Sequence, residues 1–342
     1  MLRRRNRLIA LGLLLLLVVA AACSPAAEEP AAVEPETSGE GKGSVAMILP
    51  GPIGDQGWNT SAYLGLQEYE EQGYRTAYVD EVPDADNEGY LRSYGEQGFD
   101  LVVGHGFTFV DPVMKVAPEF PETNYFITAG LPPEDAEIPS NVGFMKYHSE
   151  QACYLAGMLA GAMSESGKIG YVGAQQTPIC LADLAGYKLG AREVNPDIEV
   201  MDVWAGVWED PAKGREVALT LIGNGADVLL NDADLTGTGA LEAGKEEGVY
   251  LVGMVSDQSD IAPELFLTSV LLNVKEAIAA QMERVNDGEF GGIWNPGIAE
   301  GVIDIAPLGP DVPDDLAQMI EERKQQIADG EFEVPAIYEE MD

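Results

Sequence analysis

The chain has 342 residues, enough for two domains of ordinary size. It carries 19 Lys+Arg against 58 Asp+Glu, a formal net charge of −39 at pH 7, which argues against a basic surface for nucleic acid. The acids are dispersed rather than massed into one tail, so they read as solvated faces.

The first element is a leader. Arg3, Arg4, Arg5 and Arg7 precede an apolar run over 8–22, which ends at Cys23. A basic start, an apolar stretch of about fifteen residues and small residues before a cut site make a secretory signal, and the stretch is short for a spanning helix. The string V-A-A-A-C-S resembles a bacterial lipobox, with Ala20 where Leu is commoner. That resemblance implies cleavage after residue 22 and a lipid on Cys23; the alternative is a plain secretory signal with a chance cysteine. Acylation would hold the protein on the extracytoplasmic face of the cell membrane, since two or three chains anchor stably. Residues 23–43 are rich in Ala, Pro, Glu, Ser and Gly, with Val33 the one larger apolar side chain after the cysteine. Such a stretch cannot bury enough surface to fold and reads as a disordered tether.

From residue 44, short apolar runs alternate with amphipathic segments. The runs predict strands over 45–49, 76–79, 101–103, 124–127, 169–172, 199–204, 228–230, 250–253 and 267–270. Between them, helices are predicted over 60–72, 86–97, 112–117, 150–164, 181–194, 212–224, 237–247, 273–287 and 314–329. Nearly uniform apolarity marks strands covered on both faces, and the alternation predicts parallel sheets flanked by helices. So many strands suit two sheets better than one, and GFMKYHSEQACYLAG at 143–157 reads as the break between them. Asp210-Pro211 opens a helix and Gly248 closes one.

In open parallel sheets, ligands bind beyond the carboxyl ends of the strands. Asp55, Trp58 and Asn59 follow the first strand, Phe107 the third, Trp208 the sixth, Asp234 the seventh and Asp257 the eighth. Trp58, Trp208 and Phe107 could form a slot for a planar ring, with base–aromatic stacking worth roughly 1–3 kcal/mol per contact. The carboxylates and Asn59 would take donors from a purine or a ribose. The bland alternatives are core packing for each aromatic and helix N-capping for each Asp.

Other chemistries find little support. The glycines at 51, 54 and 57 do not make the dinucleotide fingerprint, and no phosphate-binding loop or nucleophile elbow occurs. Cys153 and Cys180 could pair in an exported protein or remain two buried thiols; with His105 and His148 the only histidines, no metal site is expected. No cofactor and no catalysis are expected; a nucleosidase acting at the same cleft, with Asp234 and Asp257 as its carboxylates, is the enzymatic alternative.

VAMILPGPIGDQGWNTSAYLGL resembles the opening of the basic membrane protein family of bacterial lipoproteins, which are substrate-binding components of ABC importers. The likeness continues through GFTFVDPVMKVAPEFPETNYFITAG, YLAGMLAGAMSESGKIGYVGA, LGAREVNPDIEVMDVWAGVWEDPAKGREVALTLIGNGADVLL, GVYLVGMVSDQSDIAPELFLTSVL and GIWNPGIAEGVIDIAPL. It implies an α/β, two-lobed type I periplasmic-binding-protein fold. Each lobe would be a doubly wound parallel sheet, over 44–146 plus 270–298 and over 147–269 plus 299–342, with ligand in the cleft. It implies a purine nucleoside or base as ligand, an ABC permease as partner and a monomer. Trp58 falls where the family places its stacking aromatic, and Trp208 looks like its partner from the other lobe. Phe107 falls in the loop after the third strand, and Asp55, Asn59, Asp234 and Asp257 fall at polar ligand contacts. Two departures bear on which ligand is read: Ile179 stands where many relatives carry Glu, and LLNVKEA lacks an aromatic or basic residue near 271–273. The alternatives are a receptor for a sugar or another flat heterocycle, or a sensory lipoprotein feeding a signalling partner.

Overall fold

The computed structural model describes residues 42–55 and 57–341; the expected leader, most of the tether and Cys23 lie outside them. In chain order the elements begin with β1 (Ser44–Ile48), α1 (Trp58–Glu71), β2 (Arg75–Val79), α2 (Asn87–Glu96), β3 (Leu101–Gly104), α3 (Val110–Val116), β4 (Asn124–Ile127) and β5 (Val142–Met145). They continue with α4 (Glu150–Met163), β6 (Lys168–Gly173), α5 (Pro178–Val194), β7 (Glu199–Trp204), α6 (Pro211–Gly223), β8 (Val228–Asp232), α7 (Asp234–Glu247) and β9 (Tyr250–Gly253). The last are β10 (Phe266–Leu272), α8 (Val274–Asp287), β11 (Gly292–Trp294), β12 (Ile303–Ile305) and α9 (Asp314–Ala328).

Two sheets result, ordered β11-β5-β4-β3-β1-β2 and β12-β10-β9-β8-β6-β7. All pairs are parallel except β10–β12. This is the two-lobed α/β architecture expected of the sequence. In both sheets the strand order turns at the first strand of the lobe, β1 or β6, so the loops after β1 and β3, and after β6 and β8, flank a switch point.

The chain crosses between lobes three times: after β5, between β10 and α8, and between β11 and β12. The crossings are bonded to each other, with Lys146 N–H on Trp294 O and His148 N–H on Pro296 O, each at 2.9 Å, and Asn273 N–H on Val302 O at 2.8 Å. The second crossing lies at Asn273 rather than at 270, because β10 stays paired with β12 through Leu272–Ile303. β5, β11 and β12 are absent from the sequence-predicted strands. They have three or four residues each, and β5 overlaps the start of the segment read as a break.

One apolar cluster runs from Val45, Met47 and Phe126 of the first lobe through Leu155 and Leu159 of α4 into Tyr171 and Leu230 of the second. The junction between the lobes is therefore built on shared core. Helix ends are set locally. Thr177 caps α5 by accepting Cys180 N–H, and Asp210 caps α6 by accepting Lys213 N–H, each with Pro at the start of the helix. Gly248 ends α7 in the left-handed region at φ 72°. α4 and α5 touch backbone to backbone: a Cβ at Gly190 would lie 1.9 Å from Tyr154 O.

Candidate functional site

The loop between β1 and α1 folds around Asp55. Its Oδ1 accepts Gly57 N–H at 3.0 Å and Thr60 N–H at 2.9 Å; its Oδ2 accepts Asn59 N–H at 2.8 Å and Asn59 Nδ2–H at 2.7 Å. Asn59 in turn accepts Gly51 N–H through Oδ1 at 3.3 Å. Both side chains are buried. Asp55 thus caps the start of α1, where the backbone has orphan donors and the helix dipole favours an anion.

That cap fixes Trp58 as the first residue of α1. Its indole stacks on His105, centroids 4.1 Å apart and planes at 21°. His105 Nε2–H donates to Trp58 O at 3.0 Å while its Nδ1 accepts the Thr128 hydroxyl at 2.9 Å, an arrangement that fits the neutral ring. Burial agrees, lowering the His105 pKa to about 4. On its other approach Trp58 meets Tyr147, from the first crossing, at 6.3 Å and 39°. Neither His105 nor Tyr147 was a sequence-predicted site residue. The GHG turn after β3 was the available signal for the first; Tyr147 lay in the segment read only as a break.

The second lobe meets this loop through Asp234. It opens α7 at φ 43°, a left-handed conformation sparsely used by side chains other than Gly, Asn and Asp. Its carboxyl accepts the backbone N–H of Trp58. A Cβ on Gly57 would come within 3.3 Å of Asp234 Oδ1. The lobes are therefore closed on one another at this point. Burial, then the neighbouring carboxyls of Asp55 and Asp232, push the Asp234 pKa up to about 8.

Behind Asp234 lies a buried acid pair. The Tyr171 hydroxyl donates to Asp232, and the Ser149 hydroxyl donates to Asp183 Oδ1 at 2.5 Å. Burial raises both carboxyls, and the charge of Asp232 raises Asp183 further. Cys153 and Cys180 are separate buried thiols, not a disulfide. Cys153 bonds to Asp183 and Cys180 to Asp232. The Tyr147 phenol, beside Trp58, is raised by burial and then by Asp183, Cys180, Asp232 and Asp234.

The other sequence-predicted residues are placed differently. Trp208 is half-buried and packs on the second-lobe cluster that includes Ala218, Ala233 and Ala240. Phe107 is 55% exposed on the first-lobe rim. Asp257 is exposed and accepts Ser259 N–H at 3.0 Å, capping a short 3-10 turn. Thus Asp55, Trp58, Asn59 and Asp234 come together, whereas Trp208 packs within the second lobe and Phe107 and Asp257 are exposed. Beside the contact runs an interlobe groove of about 340 Å³, lined by Pro50, Gly51, Pro52, Glu81, Val82 and Pro83 of one lobe and Glu209 and Leu235 of the other. Among the described residues no cluster of His, Cys, Asp and Glu could hold a metal, and no helix is long and apolar enough to cross a membrane.

The sequence and the fold have known counterparts. Residues 42–337 match the family described as ABC transporter substrate-binding protein PnrA-like. A purine-binding protein of Brucella abortus is 30% identical over 299 residues, covering 86% of this chain and 83% of that protein. Basic membrane protein B of Borrelia garinii is 31% identical over 282 residues, covering 79% and 82%. Among solved structures, ABC transporter solute-binding proteins of Aeropyrum pernix and Conexibacter woesei superpose with TM-scores of 0.75 and 0.73. They are 25% and 28% identical, each match covering 86% of this chain and 94% or 99% of the other. The chain belongs to the PnrA-like, basic membrane protein family of ABC transporter substrate-binding proteins.

Proposed function

We propose that this protein, anchored through a lipidated Cys23, captures a purine nucleoside or purine base and delivers it to an ABC permease for import. The observation that carries the reading is the contact of Trp58 and Asp234 across the cleft, with the indole backed by His105 and flanked by Tyr147. A ring that intercalates beside Trp58 gains stacking, and its polar edge meets the second lobe at Asp234. The name of the Brucella relative points to the same ligand class.

The mechanism is hinge closure. A ligand touching both lobes binds the closed state better than the open one and shifts the population toward it. The three crossings share hydrogen bonds and core, so rotation there leaves each lobe intact. The closed form is what the permease reads. The role is binding, and incubation with a nucleoside should release no free base.

A thermal-shift screen with nucleosides, bases, sugars and flavins, after refolding to strip carried-over ligand, tests the reading. Native-state ligands raise the melting temperature by an amount set by concentration over affinity. Shifts with purine nucleosides or bases and none with sugars support it; a shift with sugars alone overturns the ligand while leaving the receptor.

A further inference from the structure

The chemical class of the ligand follows from the charges around Asp234, given the reading of the cleft as the ligand site. The charged groups acting on Asp234 are Asp55 from the β1–α1 loop, Asp232 from the end of β8 and Glu209 from the loop before α6. Tyr147 approaches from the first crossing, and His105 behind Trp58 is neutral. No cation is among them. Among the described residues, Lys188 pairs with Asp202, Lys213 with Glu216, Arg215 with Glu246, Lys275 with Glu68, Arg323 with Glu193 and Lys324 with Asp304, all away from Asp234. The adjoining groove carries Glu81 and Glu209 and no Lys or Arg.

The backbone offers no substitute. Helix N-termini are ready anion sites, with N–H groups and dipole aligned. At two of them the chain supplies its own carboxylate: Asp55 occupies the start of α1, and Asp210 accepts Lys213 N–H at 3.1 Å at the start of α6. The start of α5 is taken by the Thr177 hydroxyl, and Asp234, the first residue of α7, adds a further carboxyl at the start of that helix. A phosphate entering the cleft would face carboxylates and find no counter-charge.

We propose that the cleft selects ligands that present amino N–H donors or a positive charge to Asp234, and that it rejects phosphorylated forms of the same ligands. An ionised carboxylate is an acceptor only, so an amino group or a cation completes it. Trp58 and Tyr147 add π-faces that suit a cationic or amino-bearing ring. Closure without ligand leaves the half-buried Asp234 among acids, which raises its pKa to about 8 and favours the protonated carboxyl. A donor-bearing ligand stands in for that proton. A ligand offering only acceptors must keep it, so its affinity should fall by up to about tenfold per pH unit as pH rises from the ordinary carboxyl range to about 8, whereas a donor's should stay flat.

Titration calorimetry on the whole protein tests this with matched pairs: guanosine against inosine, adenosine against its 6-deamino analogue, and each nucleoside against its 5′-monophosphate. The expected result is at least tenfold tighter binding of the amino-bearing member of a pair and at least hundredfold weaker binding of the monophosphates. No net proton uptake should accompany amino-nucleoside binding in buffers of different ionisation enthalpy. Asp234→Asn should erase the amino preference while the fold, followed by circular dichroism, remains. Equal binding within both pairs, or a monophosphate that binds as well as its nucleoside, overturns the inference while the purine reading stands. If no purine binds, that reading fails instead, and choline, spermidine and arginine against glycerol and citrate become the probe. Binding of a cation then supports the inference, and binding of none overturns it.

Discussion

Two loops face each other across the cleft, one after β1 and one after β8, and each offers a carboxylate. Asp55 is buried and surrounded by four N–H donors of its own loop. Asp234 takes one backbone N–H, from the opposite lobe, amid other acids. The first carboxylate is complete before any ligand arrives, so its work is to build the loop that presents Trp58. The second is incomplete, so its state depends on closure and on what enters the cleft. Similar residues at equivalent strand ends therefore differ: one is consumed as scaffold, and the other is left with acceptor capacity facing the opposite lobe.

The largest test of the difference is Asp55→Ala. It leaves several N–H groups without an acceptor, so stability should drop by about 3 kcal/mol or more in urea titration, with ligand binding lost as the loop loosens. Gly190→Ala, far from either loop, should cost a comparable amount by forcing α4 from α5, yet leave ligand affinity of the folded fraction nearly unchanged. Trp58→Ala should weaken ligand binding more than tenfold by calorimetry. Trp208→Ala should cost about 1–2 kcal/mol of stability instead, since that ring packs on the second-lobe cluster. A greater affinity loss at Trp208 than at Trp58 would reverse the assignment.

Titration sharpens the comparison further. Burial and Asp232 raise Asp183, and burial raises Asp232, so the folded state holds protons that the unfolded chain releases. Their contribution to stability is full below the ordinary carboxyl range and declines as pH rises from there. Asp183→Asn should flatten that decline and raise stability at pH 8 by about 1 kcal/mol, read from melting temperature against pH. His105 has the opposite sign. Its folded pKa, lowered to about 4, means stability present above its ordinary value and lost as pH falls toward 4. The smallest effect on the fold is expected for Asp234→Asn, a change within about 1 kcal/mol. It should remove the pH dependence of empty-state closure, which in the wild type weakens as pH climbs from the ordinary carboxyl range to about 8. Energy transfer between dyes on the two lobes reports that closure.

Much of the architecture was legible along the chain. Nine apolar runs with helical segments between them specify parallel sheets because each strand must be covered on both faces. Asp210-Pro211 and Gly248 mark helix ends through local backbone chemistry alone. The short strands β5, β11 and β12 were not legible. Three or four residues carry no period, and these strands exist through pairing with partners far along the chain. His105, Tyr147, Asp183 and Asp232 were equally hidden. Nothing next to Asp183 in sequence predicts a second buried carboxyl at Asp232.

What the sequence determined by itself is the longer elements, the acidic character of the chain and the strand ends where polar and aromatic residues gather. All three rest on interactions within a few residues of one another or on composition. The tertiary structure decided which of those residues meet. It gave Asp55 to its own helix, Trp208 to a packed cluster, Asp257 to a turn, and Asp234 to the opposite lobe. Those outcomes depend on distances between segments brought together only when two sheets fold and close, and no local pattern encodes them.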